Sequence, residues 1–239
     1  MLEKDKLGVL IFARFDSKRL YGKALTDIEG KCLLKRVIER CKLINGIEKI
    51  IVATSNRDID DSIAEFSFTQ GVEIFRGQCD DVYSRSIDAC KKFNLDAFAR
   101  ICGDRPFFDF NLVSQAINIF KESNIDLVTT MFPRTYPPGL TTEIISRNLL
   151  EKFSKLVTDK FDREHLTTFF YKNSQGIKIK NIYNDEYEKM KNIKLVVDNN
   201  IDLERARWIA SNEKKSGRKL PIAEIINLAS EFDALANVQ

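Results

Sequence analysis

Residues 7–23, LGVLIFARFDSKRLYGK, join an apolar run to a cation-rich loop at residues 13–23, here called the opening loop. The first six residues of the stretch are typical of a buried strand. The opening loop places two small residues among four cations within ten positions: Arg14, Ser17, Lys18, Arg19, Gly22 and Lys23. Because ligands bind beyond the carboxyl ends of the strands in α/β sheets, this loop is a candidate polyphosphate site. The alternative is a solvated basic turn.

Strand-like and helix-like segments alternate along the chain. Apolar runs predict strands at residues 7–13, 49–53, 72–75, 97–101, 126–131, 141–145 and 193–197. Helical spacing predicts helices at residues 31–43, 58–68, 80–93, 111–122, 147–156, 161–171, 201–210 and 221–235. This alternation predicts an α/β fold, with a single domain over residues 1–239 and a mostly parallel, Rossmann-like central sheet that carries helices on both faces.

Composition argues against several classes of protein. Lys and Arg number 38 against 35 Asp and Glu, and this near-balance disfavours a general nucleic-acid binder. No apolar stretch approaches the roughly 18 residues needed to span a membrane. Residues 1–6 carry mixed charge and no signal-peptide pattern. The five cysteines are odd in number and contain no C-x-x-C pair, so we expect reduced thiols in a cytoplasmic protein.

The common nucleotide motifs and most histidine chemistry are also excluded. A P-loop requires a glycine at position 17 and a hydroxyl at position 24, where Ser17 and Ala24 stand. Gly22 is the only glycine between residues 9 and 29, which rules out the G-x-G-x-x-G dinucleotide fingerprint there. His165 is the only histidine, so a histidine-rich zinc site cannot form. Carboxylates and cations are left to carry the chemistry of an enzyme.

Two aspartates follow predicted strands. Asp104 comes just after the strand at 97–101, and Asp198 comes directly after the strand at 193–197. If both strands run parallel to the first, their carboxylates emerge at the same edge as the opening loop. Mg²⁺ prefers one or two carboxylates together with substrate phosphates. The alternative is that each aspartate caps a turn or a helix, as Asp198 would for the helix predicted from residue 201.

Six motifs in order resemble those of the cytidylyltransferases of bacterial surface-sugar biosynthesis. The family's A-R-x-x-S-x-R-L-P-G-K, I-V-A-T, F-R-G…D-V-x-x-R, G-D-x-P, R-E-H and V-D-x-x-x-D-L-E are matched at residues 13–23, 51–54, 75–85, 103–106, 163–165 and 197–204. The likeness covers about residues 7–210. It is strongest to the spore-coat-polysaccharide enzymes, which are relatives of the synthetases that couple CMP to ulosonic acids.

The resemblance implies a Mg²⁺-dependent nucleotidyltransferase of surface polysaccharide biosynthesis that couples CTP to an anionic sugar, sugar-acid or phosphorylated acceptor and releases pyrophosphate. It also implies a homodimer, with an acceptor-binding and dimerisation part at about residues 133–190. The implied catalytic residues are Arg14, Lys23, Asp104, His165 and Asp198, and the two aspartates hold the Mg²⁺. The implied substrate-binding residues are Ala13, Ser17, Arg19, Thr54, Arg76, Arg85, Arg105, Glu143, Arg163 and Glu164. The preference for CTP rests on the resemblance alone.

Three positions depart from the family pattern. Tyr21 stands where the family has a proline, Arg105 where relatives have a small or polar residue, and Thr141 where many have an aspartate. If residues 105 and 141 face the acceptor, the site has lost an acid and gained a cation. An acceptor that carries a carboxylate or a phosphate is therefore predicted.

Three alternatives stay open. A glycosyltransferase on a similar sheet would need a D-x-D metal motif after a central strand, and the nearest candidate, residues 58–60, lies at a predicted helix start. A non-catalytic nucleotide-binding protein would keep the fold without turnover, although Arg14, Lys23 and the two aspartates argue against it. Residues 163–165 are alternatively a cluster at a helix start that interacts with the helix dipole.

Overall fold

A seven-stranded sheet forms the centre of the computed structural model, which describes residues 6–122 and 124–236. In chain order the strands are β1 (Leu7–Phe12), β2 (Asp27–Ile28), β3 (Lys31–Cys32), β4 (Lys49–Ser55), β5 (Glu73–Gly77), β6 (Ala97–Cys102), β7 (Leu127–Thr129), β8 (Glu143–Ser146) and β9 (Ile179–Asn181). Strands β2 and β3 form a separate hairpin, and the sheet has the order β5-β4-β1-β6-β8-β7-β9.

The sheet is mostly parallel, as predicted. β1 pairs in parallel with β4 and β6, β4 pairs in parallel with β5, and β7 pairs in parallel with β9. Among the described strands of the sheet, β8 runs antiparallel to its neighbours β6 and β7. Parallel strands bring their carboxyl ends to one edge, so the loops after β1, β4, β5 and β6 open on the same side.

Helices cover both faces of the sheet. In chain order they are α1 (Leu33–Cys41), α2 (Asp61–Thr69), α3 (Val82–Phe93), α4 (Phe110–Glu122), α5 (Arg147–Phe153), α6 (Lys160–Glu164), α7 (Thr168–Lys172), α8 (Asp185–Glu188), α9 (Asn200–Ser216) and α10 (Ile222–Ala236). Short 3-10 turns lie at Lys23–Leu25 and Asp58–Asp60.

The alternation of side chains along the strands divides the core. On β1, Val9 and Ile11 pack with residues of α1 and α4, whereas Leu10 packs on the other face with residues of α3 and α5. A third apolar cluster joins α9 and α10 to Leu195 and Val197. This third cluster fixes the segment that leads into Asp198.

The strand predicted at residues 193–197 is not part of the sheet. Backbone hydrogen bonds join the segment to neighbouring loops, from Leu195 N to the carbonyl of Pro138 at 2.8 Å and from Val197 N to the carbonyl of Asp104 at 2.9 Å. Its apolar pattern indicates burial, which is correct, but periodicity cannot separate a ladder strand from an isolated extended segment. Asp198 therefore reaches the edge of the sheet by packing against the loop after β6.

The helix predicted at residues 161–171 is two helices, α6 and α7. They are separated at residues 165–167, where Leu166 has a φ of 22°, in the left-handed region that is unusual for a residue with a side chain. No glycine or proline marks this break. The hairpin of β2 and β3 and the edge strand β9 were also not predicted, because each strand has only two or three residues.

Within the described residues, no helix has the length and apolar character needed to cross a membrane. The prediction that the chain starts without a signal peptide rests on residues 1–6, of which residues 1–5 lie outside the described part of the structure.

Replacing Gly139 with alanine is expected to destabilise the fold by about 3 kcal/mol, since it combines a crowded site with a positive φ. Gly139 has a φ of 103°, and an added Cβ would lie 2.6 Å from the backbone carbon of Leu195 and 2.7 Å from its oxygen. Backbone atoms cannot rotate away as a flexible side chain would. Chemical unfolding measures the change in free energy.

The matched control for this prediction is Gly176→Ala. Gly176 also has a positive φ, 77°, but an added Cβ there has no atom within 4 Å. Only the backbone strain remains, so we expect a loss of about 1 kcal/mol. Equal losses in the two variants would contradict a clash between residue 139 and Leu195.

Candidate active site

The opening loop folds back on itself after β1. The carbonyl of Phe15 accepts hydrogen bonds from the backbone N–H groups of Ser17 and Gly22, both at 2.9 Å. Gly22 has a φ of 68°, a conformation that favours glycine, and the 3-10 turn at Lys23–Leu25 begins directly after it. The loop thus closes locally and turns Lys23 toward the ends of the strands.

Lys23 lies between the two aspartates. Its ammonium is 2.9 Å from Asp104 Oδ2 and 3.2 Å from Asp198 Oδ1, and it donates to the carbonyl of Val197 at 2.9 Å. A second cation of the opening loop, Arg19, lies 2.9 Å from Asp198 Oδ1 through its Nη2. The structure therefore brings the opening loop, the end of β6 and the segment before α9 to one point.

Asp198 is ionised in a strongly positive environment. Its Oδ2 lies 3.2 Å from Lys194 Nζ, which also binds Asp202 at 2.6 Å. Burial works to raise the pKa of Asp198, but Lys23 and Lys194 outweigh it and hold that pKa below its usual range. Asp198 does not cap α9, because Asn199 is the N-cap and forms a capping box with Asp202.

A cleft of about 520 Å³ opens over these groups. All five predicted catalytic residues line it: Arg14, Lys23, Asp104, His165 and Asp198. Five of the predicted substrate-binding residues also line it: Ala13, Ser17, Arg19, Arg85 and Glu164. The walls thus combine the opening loop, the end of β6, the start of α3 and the end of α6.

Three other predicted substrate-binding residues do not line the cleft. Thr54 is fully buried in β4. Arg76 donates through Nε to the carbonyl of Ser55 at 3.0 Å and so braces the turn after β4. Arg163 lies 2.6 Å from Asp81 through its Nη2 and ties α6 to α3. Each matched a family motif, but a motif match does not show which way a side chain points.

The positions that depart from the family pattern are also engaged within the protein. Arg105 Nη1 donates to the carbonyl of Thr141 at 3.0 Å and to its hydroxyl at 2.8 Å, and Arg105 does not line the cleft. Arg105 thus joins the loop after β6 to the segment before β8, and its role toward the acceptor stays a prediction. Tyr21 packs edge-on against the Phe15 ring, with 5.2 Å between the ring centroids, which stiffens the loop where the family has a proline.

Glu143 is paired with Arg100, a cleft residue that was not predicted from the sequence. Glu143 is buried, and its Oε2 lies 2.8 Å from Arg100 Nη1, while Tyr171 donates its hydroxyl to Oε1 at 2.5 Å. Arg100 lines the cleft, and its Nε is buried with no hydrogen-bond partner among the described residues. A lone cation inside the apolar strand β6 was the signal that could have found it.

We expect Glu143→Gln to lose about 3 kcal/mol of stability at neutral pH, because it leaves the Arg100 charge buried without a partner. Burial works to raise the pKa of Glu143, but Arg100 and Tyr171 hold it below the ordinary value of 4.5. The stabilisation from this carboxylate is therefore fully present above pH 4.5 and is lost as the pH falls through the lower, folded-state pKa. The free energies of unfolding of the parent and of Glu143→Gln, measured as a function of pH, should therefore converge at low pH.

The control is Glu224→Gln, which removes an exposed partner of Arg218 at 2.9 Å. Exposed ion pairs contribute about 0–1 kcal/mol, so that variant should unfold almost as the parent does. A pH dependence of stability in Glu143→Gln that matched the parent's would contradict the account.

His165 lies at the mouth of the cleft in the break between α6 and α7. It is exposed, and its ring centroid lies 4.2 Å from that of Phe161. The preceding Glu164 lies 3.7 Å from Arg14 Nη2, so the end of α6 approaches the opening loop. The residues 163–165 are thus at the end of α6 and not at a helix start.

Arg85 is buried in the wall of the cleft. Its Nη1 donates to the carbonyl of Gln78 at 3.1 Å, and its guanidinium carbon lies 5.7 Å from the centroid of the Phe12 ring. Burial lowers the pKa of Arg85, and its Nε has no hydrogen-bond partner among the described residues. A buried donor of this kind is suited to a ligand acceptor atom.

The D-x-D candidate of the glycosyltransferase alternative does not form a metal site. Residues 58–60 form a 3-10 turn, and Asp60 is fully buried. Its Oδ1 accepts the backbone N–H of Phe15 at 2.6 Å, so this carboxylate supports the opening loop from behind.

Comparison with known proteins finds relatives that agree with the family the motifs resemble. A family model described as cytidylyltransferase matches residues 8–220. The chain is 34% identical over 193 residues to an uncharacterised protein of Methanocaldococcus jannaschii, covering 81% of this chain and 78% of the relative. It is 25% identical over 234 residues to a spore coat polysaccharide biosynthesis protein of Bacillus subtilis (strain 168), covering 95% and 92%.

A solved structure agrees over nearly the whole chain. The structure of a cytidylyltransferase from Leptospira borgpetersenii serovar Hardjo-bovis superposes with a TM-score of 0.85 at 27% identity, covering 96% of this chain and 95% of that one. The fold and the cation-lined cleft define a nucleotidyltransferase. Within that class, the chain belongs to the cytidylyltransferase family, which confirms the resemblance seen in the motifs.

Proposed function

We propose that the cleft binds CTP and an anionic sugar-like acceptor and joins CMP to the acceptor with release of pyrophosphate. The observation that carries the proposal is the convergence of Lys23 on Asp104 and Asp198 inside the cleft. The Bacillus subtilis relative, named for spore coat polysaccharide biosynthesis, supports a sugar-like acceptor.

The opening loop would bind the triphosphate. Arg14, Arg19 and Lys23 line the cleft together with Ser17, so planar guanidinium groups, a compact ammonium and a hydroxyl face the same space. An acceptor oxygen attacks the α-phosphorus, and the bond from the α-phosphorus to the oxygen that bridges it to the β-phosphate breaks. Pyrophosphate leaves with the electron pair of that bond, and the acceptor proton passes to His165 or to water. Such transfer depends mainly on positioning and on charge neutralisation, which these cations supply.

Asp104 and Asp198 fit a divalent cation such as Mg²⁺. The Lys23 ammonium lies within 3.2 Å of one oxygen of each carboxylate, so the two acids already face one common cation position. Among the described residues no cluster of three or more potential ligand side chains exists, and a two-carboxylate site completed by substrate phosphates is the arrangement that Mg²⁺ prefers. Mg²⁺, when bound, supplies charge neutralisation at the phosphate oxygens.

The acceptor side of the cleft would be formed by residues from about 133 to 190, which we also propose as the dimerisation part. Glu164 and His165 reach the cleft from this region, and Glu143 within it holds Arg100 in the wall. His165, which lines the cleft, would donate a hydrogen bond to the acceptor or assist its deprotonation. The Arg85 and Arg100 guanidinium groups in the cleft wall support an anionic acceptor.

The decisive assay measures pyrophosphate release from each of the four nucleoside triphosphates with Mg²⁺ and a panel of sugar acids, sugar phosphates and neutral sugars. We expect turnover with CTP and an anionic acceptor. Turnover restricted to neutral sugars would refute the anionic acceptor, and Mg²⁺-dependent CTP binding without turnover on any acceptor would favour a non-catalytic role.

A further inference from the structure

We propose that Arg57, which does not line the cleft, is a positioning residue that holds the Asp16 carboxylate away from Arg14 and so keeps Arg14 free for the triphosphate. The inference rests on the proposed function only because it takes the CTP triphosphate as the ligand of Arg14. It concerns a set of four residues, here called the loop clamp: Asp16, Ser55, Arg57 and Asp60.

The clamp fixes the backbone of the opening loop from the side of β4, outside the cleft lining. Asp60 and Ser55 are fully buried, and the Ser55 hydroxyl donates to Asp60 Oδ2. The other oxygen of Asp60 accepts the backbone N–H of Phe15 at 2.6 Å. Because the carbonyl of Phe15 already closes the loop, this bond anchors the closed loop to the turn after β4.

Arg57 links this anchor to Asp16. Its Nη1 and Nη2 donate to the two oxygens of Asp16 at 2.6 and 2.8 Å, and Nη2 also donates to Asp60 Oδ2 at 3.1 Å. Its Nε donates to the Ser55 hydroxyl oxygen at 3.0 Å. The bidentate hydrogen bonds from Arg57 hold the pKa of Asp16 below its usual range, so Asp16 is a full negative charge within the phosphate-binding loop.

Arg14 is a second cation close to the Asp16 carboxylate. Arg14 Nε lies 4.0 Å from Asp16 Oδ1, at the limit of an ion pair, and Arg14 Nη2 lies 3.7 Å from Glu164. Neither distance is a hydrogen bond, and Arg14 is hydrogen-bonded instead to the Cys79 thiol, a weak partner, so no carboxylate occupies its guanidinium group. Without Arg57, the Asp16 carboxylate would form an ion pair with Arg14. That ion pair would occupy the N–H groups of the Arg14 guanidinium and would place a carboxylate beside the phosphates.

The first test measures CTP affinity by calorimetry in the presence of Mg²⁺ and the absence of acceptor. Arg57→Ala should weaken binding about 10-fold, the scale of one charge-assisted hydrogen bond. The double variant Arg57→Ala with Asp16→Asn should recover most of that loss, because the competing charge is gone. Arg218→Ala, which removes an exposed guanidinium bound to Glu224, is the matched control and should bind CTP as the parent does.

A purely structural role for Arg57 would not be rescued by removing the charge of Asp16. Unchanged affinity in Arg57→Ala, or a double variant that binds no tighter than the single one, would overturn the proposal. A ligand-free crystal structure of Arg57→Ala gives an independent result: Arg14 and Asp16 should move from 4.0 Å to within hydrogen-bond distance. If the parent protein does not bind CTP, the proposed function fails, but this crystal structure still tests the role of Arg57. A separation between Arg14 and Asp16 that stays at 4.0 Å or more would refute that role.

Discussion

Asp104→Asn is expected to lose at least ~100-fold in the rate of pyrophosphate release, the scale found when one preorganised electrostatic group is removed. Asp104 is one of only two carboxylates that contact Lys23 among the described residues, so no neighbouring acid can replace it. The substitution keeps the shape of the side chain and removes one negative charge. Steady-state kinetics at saturating CTP and Mg²⁺ measure the loss.

Asp88→Asn is the matched control, because Asp88 is an exposed carboxylate on α3 outside the cleft lining. Its rate should match that of the parent. Near-normal turnover of Asp104→Asn would remove Asp104 from the metal site and with it the proposed mechanism.

Lys23→Met is expected to reduce kcat/KM for CTP by about 1000-fold, since the ammonium faces the reacting phosphates and its removal is only partly offset by the other loop cations. The same variant should bind Mn²⁺ more tightly than the parent when no nucleotide is present. The reason is electrostatic: Lys23 now neutralises Asp104 and Asp198, and a metal ion must displace its ammonium.

Metal titration followed by electron paramagnetic resonance separates these two effects. Lys18→Met provides the comparison, because Lys18 lies in the same loop and lines the cleft but is exposed. It should change metal affinity little. Weaker metal binding in Lys23→Met than in the parent would contradict the competition between Lys23 and the metal.

The fold was predictable where local pattern and tertiary packing agree. The apolar run at Leu7–Phe12 and the alternation that follows it gave the parallel sheet, because buried strands and amphipathic helices leave distinct periodicities. Residues 193–197 show the limit: burial was read correctly, but pairing depends on a neighbouring strand that is distant in sequence. The break at Leu166 carries no local signal, and Leu166 is fully buried there in the apolar cluster that contains Tyr83 and Phe170.

The site was predictable in part for the same reason. Residues close behind strand ends, such as Ala13 after β1 and Asp104 after β6, are directed to the cleft by the sheet itself. Other predicted side chains, such as Arg76 on β5 and Arg105 in the loop after β6, form hydrogen bonds within the protein and do not line the cleft, because local sequence does not set side-chain orientation. Arg57 left no motif at all, since its importance depends on the pairing of β1 with β4.

The most direct test of the account is a crystal structure with CTP and Mn²⁺, in which anomalous scattering locates the metal. We predict one metal peak in contact with both Asp104 and Asp198, and a triphosphate on Arg14, Arg19 and Lys23 after the Lys23 ammonium has left the two carboxylates. A metal bound away from both acids, or a triphosphate that does not touch the opening loop, would contradict the central claim.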